Sequence, residues 1–240
     1  MPEKVLNSQK IIVTISRLHS RIVERFPESG LSEICKTLEE IAVNAAERAK
    51  WIGKPILWLR LLVFSGCSIF MTLALFATYF VLKPALVNKK WTDLLKNVES
   101  EINLMILIGG ATIFLWSLEK RYKRWRALQA IHELRSVAHV IDMHQLTKDP
   151  ERISSQATNT DSSPEFSMTS YELRRYLDYC SEMLSLVGKV AALYVQKFDD
   201  PVALSAASEV ESTSTGLSRK IWQKLLILHT IDNRKQIDSR

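Results

Sequence analysis

The chain has 240 residues, a formal net charge of +6 at pH 7 and 47% hydrophobic residues, with only 7 glycines and 3 cysteines. Cys35, Cys67 and Cys180 have no paired spacing, which excludes a disulfide framework and leaves reduced thiols. The positive excess sits mainly beside apolar stretches, so it reads as membrane topology and attraction to anionic lipid headgroups, with no nucleic-acid partner.

Few glycines and few alternating runs predict an all-α chain. The start does not look like a signal peptide: the short run 11–15 is broken by Thr14 and followed by Arg17. Residues 1–54 read as an amphipathic helix pair on the cytoplasmic side. Ile12, Ile15, Leu18, Ile22 and Phe26 recur at helical spacing, Pro27-Glu28-Ser29-Gly30 interrupts, and Ile34, Leu38, Ile41, Ala45, Ala49 and Ile52 resume it.

Residues 55–82 are expected to form a first transmembrane helix. Positions 61–82 carry no charge, and at roughly 1.5 Å per residue they cover about 33 Å, enough for a hydrocarbon core of about 30 Å. Arg60 stands at the edge, and Trp51, Trp58 and Tyr79 fall near the interfaces. Residues 83–101 are expected to be a short external loop with a surface helix built on Leu86, Trp91, Leu94, Leu95 and Val98. A second transmembrane helix follows at 102–119, where the uncharged run spans about 25 Å; the competing reading is a buried core helix. Gly109-Gly110-Ala111 predicts close helix–helix approach. Nine Lys and Arg flank the two spans on the outside of the pair, against four in the connecting loop, so both termini are expected in the cytoplasm.

Residues 120–149 are expected to continue the second span as a cytoplasmic helix packed through Ala127, Ile131, Leu134, Ala138 and Ile141. Asp149-Pro150 ends it. Residues 150–168 are expected to be a flexible linker, since 154–167 is rich in Ser, Thr, Asn and Asp. Residues 169–240 are expected to form a long antiparallel helical hairpin. Thr169-Ser170-Tyr171-Glu172 has capping-box form. Leu173, Leu177, Cys180, Leu184, Val187, Ala191, Tyr194 and Phe198 then alternate by four and three, as bundle core or as an oligomer seam. Asp200 and Pro201 open the last helix, to about Asp232, with Val210, Leu217, Ile221 and Leu228 on its face and a weak point at 212–216. Trp222 is either a packing anchor or a membrane contact.

His132, Arg135, Ser136, His139 and Asp142 share one helical face and form the candidate polar functional face. Three readings compete: a solvated or inter-helix polar face, a pH- or ligand-sensing network, and a metal site. Histidine titrates near neutrality, which suits the second. His132 and His139 lie about 10.5 Å apart along the axis, too far to share one ion, and no HExxH or CxxC occurs. No catalytic residue, cofactor or metal is expected. Lys120, Arg121, Lys123, Arg124 and Arg126 are read as a lipid-facing basic collar after the second span.

Segments 25–31 (RFPESGL), 132–150 (HELRSVAHVIDMHQLTKDP) and 219–224 (RKIWQK) resemble those of an uncharacterised family of bacterial two-span membrane proteins. The resemblance covers most of the chain and implies an inner-membrane setting; it implies no activity and no site residues. The reading is an all-α membrane-anchored adaptor, scaffold or sensor, with a protein partner or second copy meeting residues 169–232. The alternatives are an oligomeric channel or transporter component, and an enzyme or metal-binding protein using the His132/His139 face.

Overall fold

The computed structural model describes residues 5–52, 54, 57, 61, 64–73, 75, 76, 79, 91–153, 161–163 and 167–238. Among these the chain is all helix. The elements are α1 (Ser8–Arg25), α2 (Gly30–Ile52), α3 (Trp91–Leu146), a single 3-10 turn (Pro150–Ile153), α4 (Ser170–Val195) and α5 (Pro201–Asp238). Residues 64–73 are also helical. Two compact units are present: residues 1–53 with 126–240, and residues 54–125.

The first unit is a bundle built around α4. Asn7 caps α1, accepting from the amides of Gln9 and Lys10 at 3.0 and 3.3 Å. Its buried stripe is Ile11, Ile15, Leu18 and Ile22, with Ile12 and Phe26 half-buried beside it. The chain reverses through Pro27-Glu28-Ser29, with Glu28 at φ 58°, and α2 packs back on α1. The buried stripe of α2 is Leu31, Cys35, Leu38, Ala42, Ala45 and Ala46, while Ile34, Ile41 and Ala49 lie at its edge. The expected stripe through Ile34 and Ile41 is therefore rotated. The reason is that α2 packs against both α1 and α4, so two neighbours set which face is buried.

The capping box at Thr169 is formed in both directions: the Thr169 hydroxyl accepts from the Glu172 amide at 3.2 Å, and the Glu172 carboxylate accepts from the Thr169 amide at 2.8 Å. That amide holds the Glu172 carboxyl below its usual range. From Leu173 to Tyr194 every position of the four-three repeat is buried, and Phe198 is half-buried. Tyr176, Tyr179, Met183, Leu186, Val190 and Leu193 are buried too, so α4 is covered around most of its circumference. α5 returns antiparallel along it, and α1 and α2 pack on it as well. The repeat is thus core of its own chain.

Asp200 caps α5 by accepting from the Ala203 amide at 3.0 Å. α5 runs unbroken through 212–216 and past Asp232 to Asp238, burying Val210, Leu217, Ile221 and Leu228. The linker expected over 150–168 begins as structure: Pro150 is buried, and the 3-10 turn packs on α4 and α5. Most of 154–166 lies outside the described residues.

α3 begins at Trp91, so the external loop expected over 83–101 is helix from that point on. No proline or glycine interrupts 91–108, and nothing else in that stretch breaks a helix. Residues 83–90 lie outside the described residues. α3 continues to Leu146 and contributes Ala127, Ala130, Ile131, Leu134, Val137, Ala138 and Ile141 to the bundle core. Gly30 lets the His144 ring approach the start of α2, where a Cβ would meet it.

In the second unit, Cys67 Sγ and Thr112 Oγ1 lie 3.1 Å apart, and Lys123 Nζ donates to the Lys54 carbonyl at 2.7 Å. One contact advances along the first stretch as the other retreats along α3, so the two run antiparallel. Beside Gly109-Gly110-Ala111, the Cys67–Thr112 pair is where the two stretches meet; a Cβ at Gly109 or Gly110 meets nothing within 4 Å among the described residues. Among the described residues no helix is long and apolar enough to cross a membrane. Much of 55–82, including 58–60, 62, 63, 74, 77, 78 and 80–82, lies outside them.

Cys35 and Cys180 have no exposed surface, and burial pushes each thiol up to about 12. Because the thiolate is the reactive form, both should resist iodoacetamide at pH 8 in the folded chain and react only after denaturation. Peptide mapping of the labelled protein checks this; ready labelling of Cys180 without unfolding would contradict the packing of α4.

Candidate functional site

The polar face anticipated on α3 is present but does not converge. His132 and His139 are exposed, and the Ser136 hydroxyl turns back to the His132 carbonyl at 3.2 Å. Arg135 forms an ion pair with Glu209 of α5. Asp142 is half-buried and accepts from the Gln145 side chain at 2.6 Å. Among the described residues no group of three or more His, Cys, Asp or Glu is placed to hold a metal ion. What this face contributes is a tie to α5. A second tie lies at its end, where Lys224 Nζ donates to the carbonyls of Gln145 and Lys148 at 2.5 and 3.1 Å. These carbonyls lie at the C-terminal end of α3, where the helix dipole favours a cation, and the Gln145 carbonyl also accepts from the Lys148 amide at 3.1 Å. Burial lowers the Lys224 ammonium from its usual range, partly opposed by Asp149 and Asp142.

The basic collar divides. Lys120 and Arg121 are exposed, Arg124 is half-buried, and the Arg126 guanidinium lies 5.7 Å from the centre of the Trp51 ring. Lys123 is buried, which corrects its assignment as lipid-facing. Its ammonium is held at 2.8 Å by Glu119, one turn earlier on α3, and by the Lys54 carbonyl. A charged side chain stays buried where a carboxylate and a carbonyl replace its water.

A different cluster does converge, between α1 and the start of α4. Arg21, Glu24 and Arg25 come from α1, and Tyr171, Arg174, Arg175, Asp178 and Tyr179 from α4; they line an open groove of about 670 Å³. The Tyr179 ring carries the guanidiniums of Arg21 and Arg175 at 5.1 and 4.9 Å, and Tyr171 carries that of Arg25 at 5.2 Å. Phe26 meets the Tyr176 and Tyr179 rings edge-on at 5.5 and 6.3 Å. Glu182 accepts twice from Arg21, at 3.0 and 3.4 Å. Asp178 pairs with Arg175 at 3.0 Å, and Asp232 pairs with Arg174 at 2.9 Å. Asp232 also accepts from the Ser170 hydroxyl at 2.7 and 2.6 Å. Arg25 has no carboxylate among the described residues; it donates to the Tyr171 hydroxyl at 2.9 Å.

The field in this groove is positive where it can be read. Burial alone would raise the Tyr179 phenol, yet the hydrogen bond from Arg175 and the charges of Arg175, Arg25 and Arg21 bring it below its usual range. Sequence reasoning did not find this cluster. Its signal was the spacing Tyr171, Arg175, Tyr179 on one face of the capped helix, and Arg21 with Arg25 one turn apart on α1. Neither says that the two helices cross there.

No family model, no curated protein and no solved structure matches the chain.

The two roles separate by mutation. Lys123→Ala should lower stability by about 3 kcal/mol, because it removes the buried ammonium that pairs with the Glu119 carboxylate. Lys120→Ala, His132→Ala and His139→Ala should each stay within about 0.5 kcal/mol of the parent, as exposed substitutions do. Thermal unfolding followed by circular dichroism measures both; a large loss at His132 or His139 would mean that the polar face is structural.

Proposed function

We propose that the chain is a membrane-anchored helical adaptor, scaffold or sensor that works by binding. In this reading residues 55–82 and 102–119 cross a bacterial inner membrane, and both termini face the cytoplasm. The observation that carries it is the surface of the second unit. Among its described residues apolar side chains point outward: Phe64 and Ile113 are each 70% exposed, and Leu61, Ile69, Met71, Leu73, Leu75, Phe76, Ile106 and Leu107 are exposed with them. Water-facing apolar patches beyond a few hundred Å² are rare on proteins that stay free in water. A hydrocarbon environment removes their cost. The Cys67–Thr112 contact suits such a surrounding too, since polar side chains there find each other across helices.

The binding part of the reading rests on the bundle. Its four-three repeat is consumed by its own core, so a partner meeting residues 169–232 is left with the outer face of α5. Leu204, Trp222 and Leu226 fall within about 40° of one another there at 100° per residue, and all three are exposed, Trp222 at 67%.

Washing membranes with alkaline carbonate should leave the chain in the pellet. A photo-crosslinking amino acid at position 222 should then capture a second copy or a distinct protein in native membranes. Release by carbonate would remove the membrane reading, and an uncrosslinked monomer would remove the adaptor reading.

A further inference from the structure

We infer that the groove between α1 and α4 binds a phosphate monoester, through Arg25, Arg174 and Arg175 together with the hydroxyls of Tyr171 and Tyr179. This deepens the reading of the bundle as a binding module and rests on it, but it does not need the membrane spans.

The groove offers hydrogen-bond donors and few free acceptors. Asp178, Glu182 and Asp232 are each occupied by an arginine, and Glu24 is the other carboxylate lining the groove. A guanidinium has five N–H donors, and one carboxylate uses at most two. Arg174 and Arg175 each give one hydrogen bond to their carboxylates, so each has further N–H groups to give. Arg25 is committed to the phenols of Tyr171 and Tyr179 and to no carboxylate among the described residues. The two phenols add to the imbalance. A tyrosine hydroxyl that accepts from an arginine has its single proton left to donate; Tyr171 accepts from Arg25, and Tyr179 receives a hydrogen bond from Arg175. The arrangement therefore lacks an acceptor with several oxygens and negative charge.

A phosphate monoester fits this need better than a carboxylate. It brings about two charges and three strong acceptor oxygens, and arginine forks match its geometry. The arginines are also held ready. The aromatic faces of Tyr171 and Tyr179 fix three of the four guanidinium planes from below, so little side-chain entropy remains to be lost on binding. The volume, about 670 Å³, accepts a phosphate with a sizeable group attached. The phosphate could be carried by a soluble metabolite or by a lipid headgroup, and the two sources are separable.

The test uses the full-length chain in nanodiscs of neutral lipid, titrated with glycerol 3-phosphate and followed by calorimetry at low and high salt. Saturable binding that weakens with salt is expected. Arg25→Gln should weaken it about ten- to hundredfold, the loss typical of a hydrogen bond to a charged group. Tyr171→Phe keeps the ring under Arg25 and removes only the hydroxyl, so it tests the site even where Arg25→Gln disturbs folding; it should weaken binding as well. Arg219→Gln, on the far part of α5, should leave binding unchanged. A second arm places the chain in discs containing phosphatidic acid. A rise in melting temperature there that Arg25→Gln abolishes, with no binding of glycerol 3-phosphate, assigns the phosphate to a headgroup. No Arg25-dependent response in either arm overturns the inference, and equal binding by the parent and Tyr171→Phe removes the phenol's role. A monomer in the crosslinking experiment would instead count against a protein partner and leave this titration to stand.

Discussion

The bundle depends on one constraint: α4 is apolar around most of its circumference. Leu173, Leu177, Cys180, Leu184, Val187, Ala191 and Tyr194 form one stripe, and Tyr176, Tyr179, Met183, Leu186, Val190 and Leu193 fill the flanks. A helix of that kind is unstable unless neighbours cover every side. α5 covers it along its length, α1 and α2 cover another side, and the C-terminal half of α3 joins the same core. The short reversals at 26–29 and 196–200 follow from this need, since each returns a helix to α4 at once.

Where α4 leaves the core it becomes polar, and the polar groups at that end are arginines and tyrosines. Cation–π stacking lets one residue serve both purposes. The Tyr179 ring is buried against Phe26 while its face and hydroxyl meet Arg21 and Arg175. The groove is therefore built from the same side chains that seal the α1–α4 contact.

The unit of residues 54–125 follows the opposite rule. Among its described residues Cys67 meets Thr112 and Lys123 meets Lys54 across the pair, Lys123 also holds Glu119 within α3, and the apolar groups face outward. A bundle stabilised by water would bury Phe64 and Ile113; this unit exposes them. The contrast between the two units is what supports the proposal of an anchor and a separate binding part.

Much of this was legible beforehand, and the parts that were not share a cause. Periodicity located α1, α4 and α5, the capping box at Thr169 and the stripe Ala127–Ile131–Leu134–Ala138–Ile141, because local spacing decides which residues can share a face. It misplaced the α2 stripe and read Lys123 as lipid-facing. Each of these turns on what lies opposite. The sequence by itself determined the helices, their caps and the apolar character of each face. Only the tertiary structure decided which faces meet, since the Arg21–Glu182 and Arg25–Tyr171 contacts join residues 161 and 146 positions apart, and no local pattern carries information over that distance.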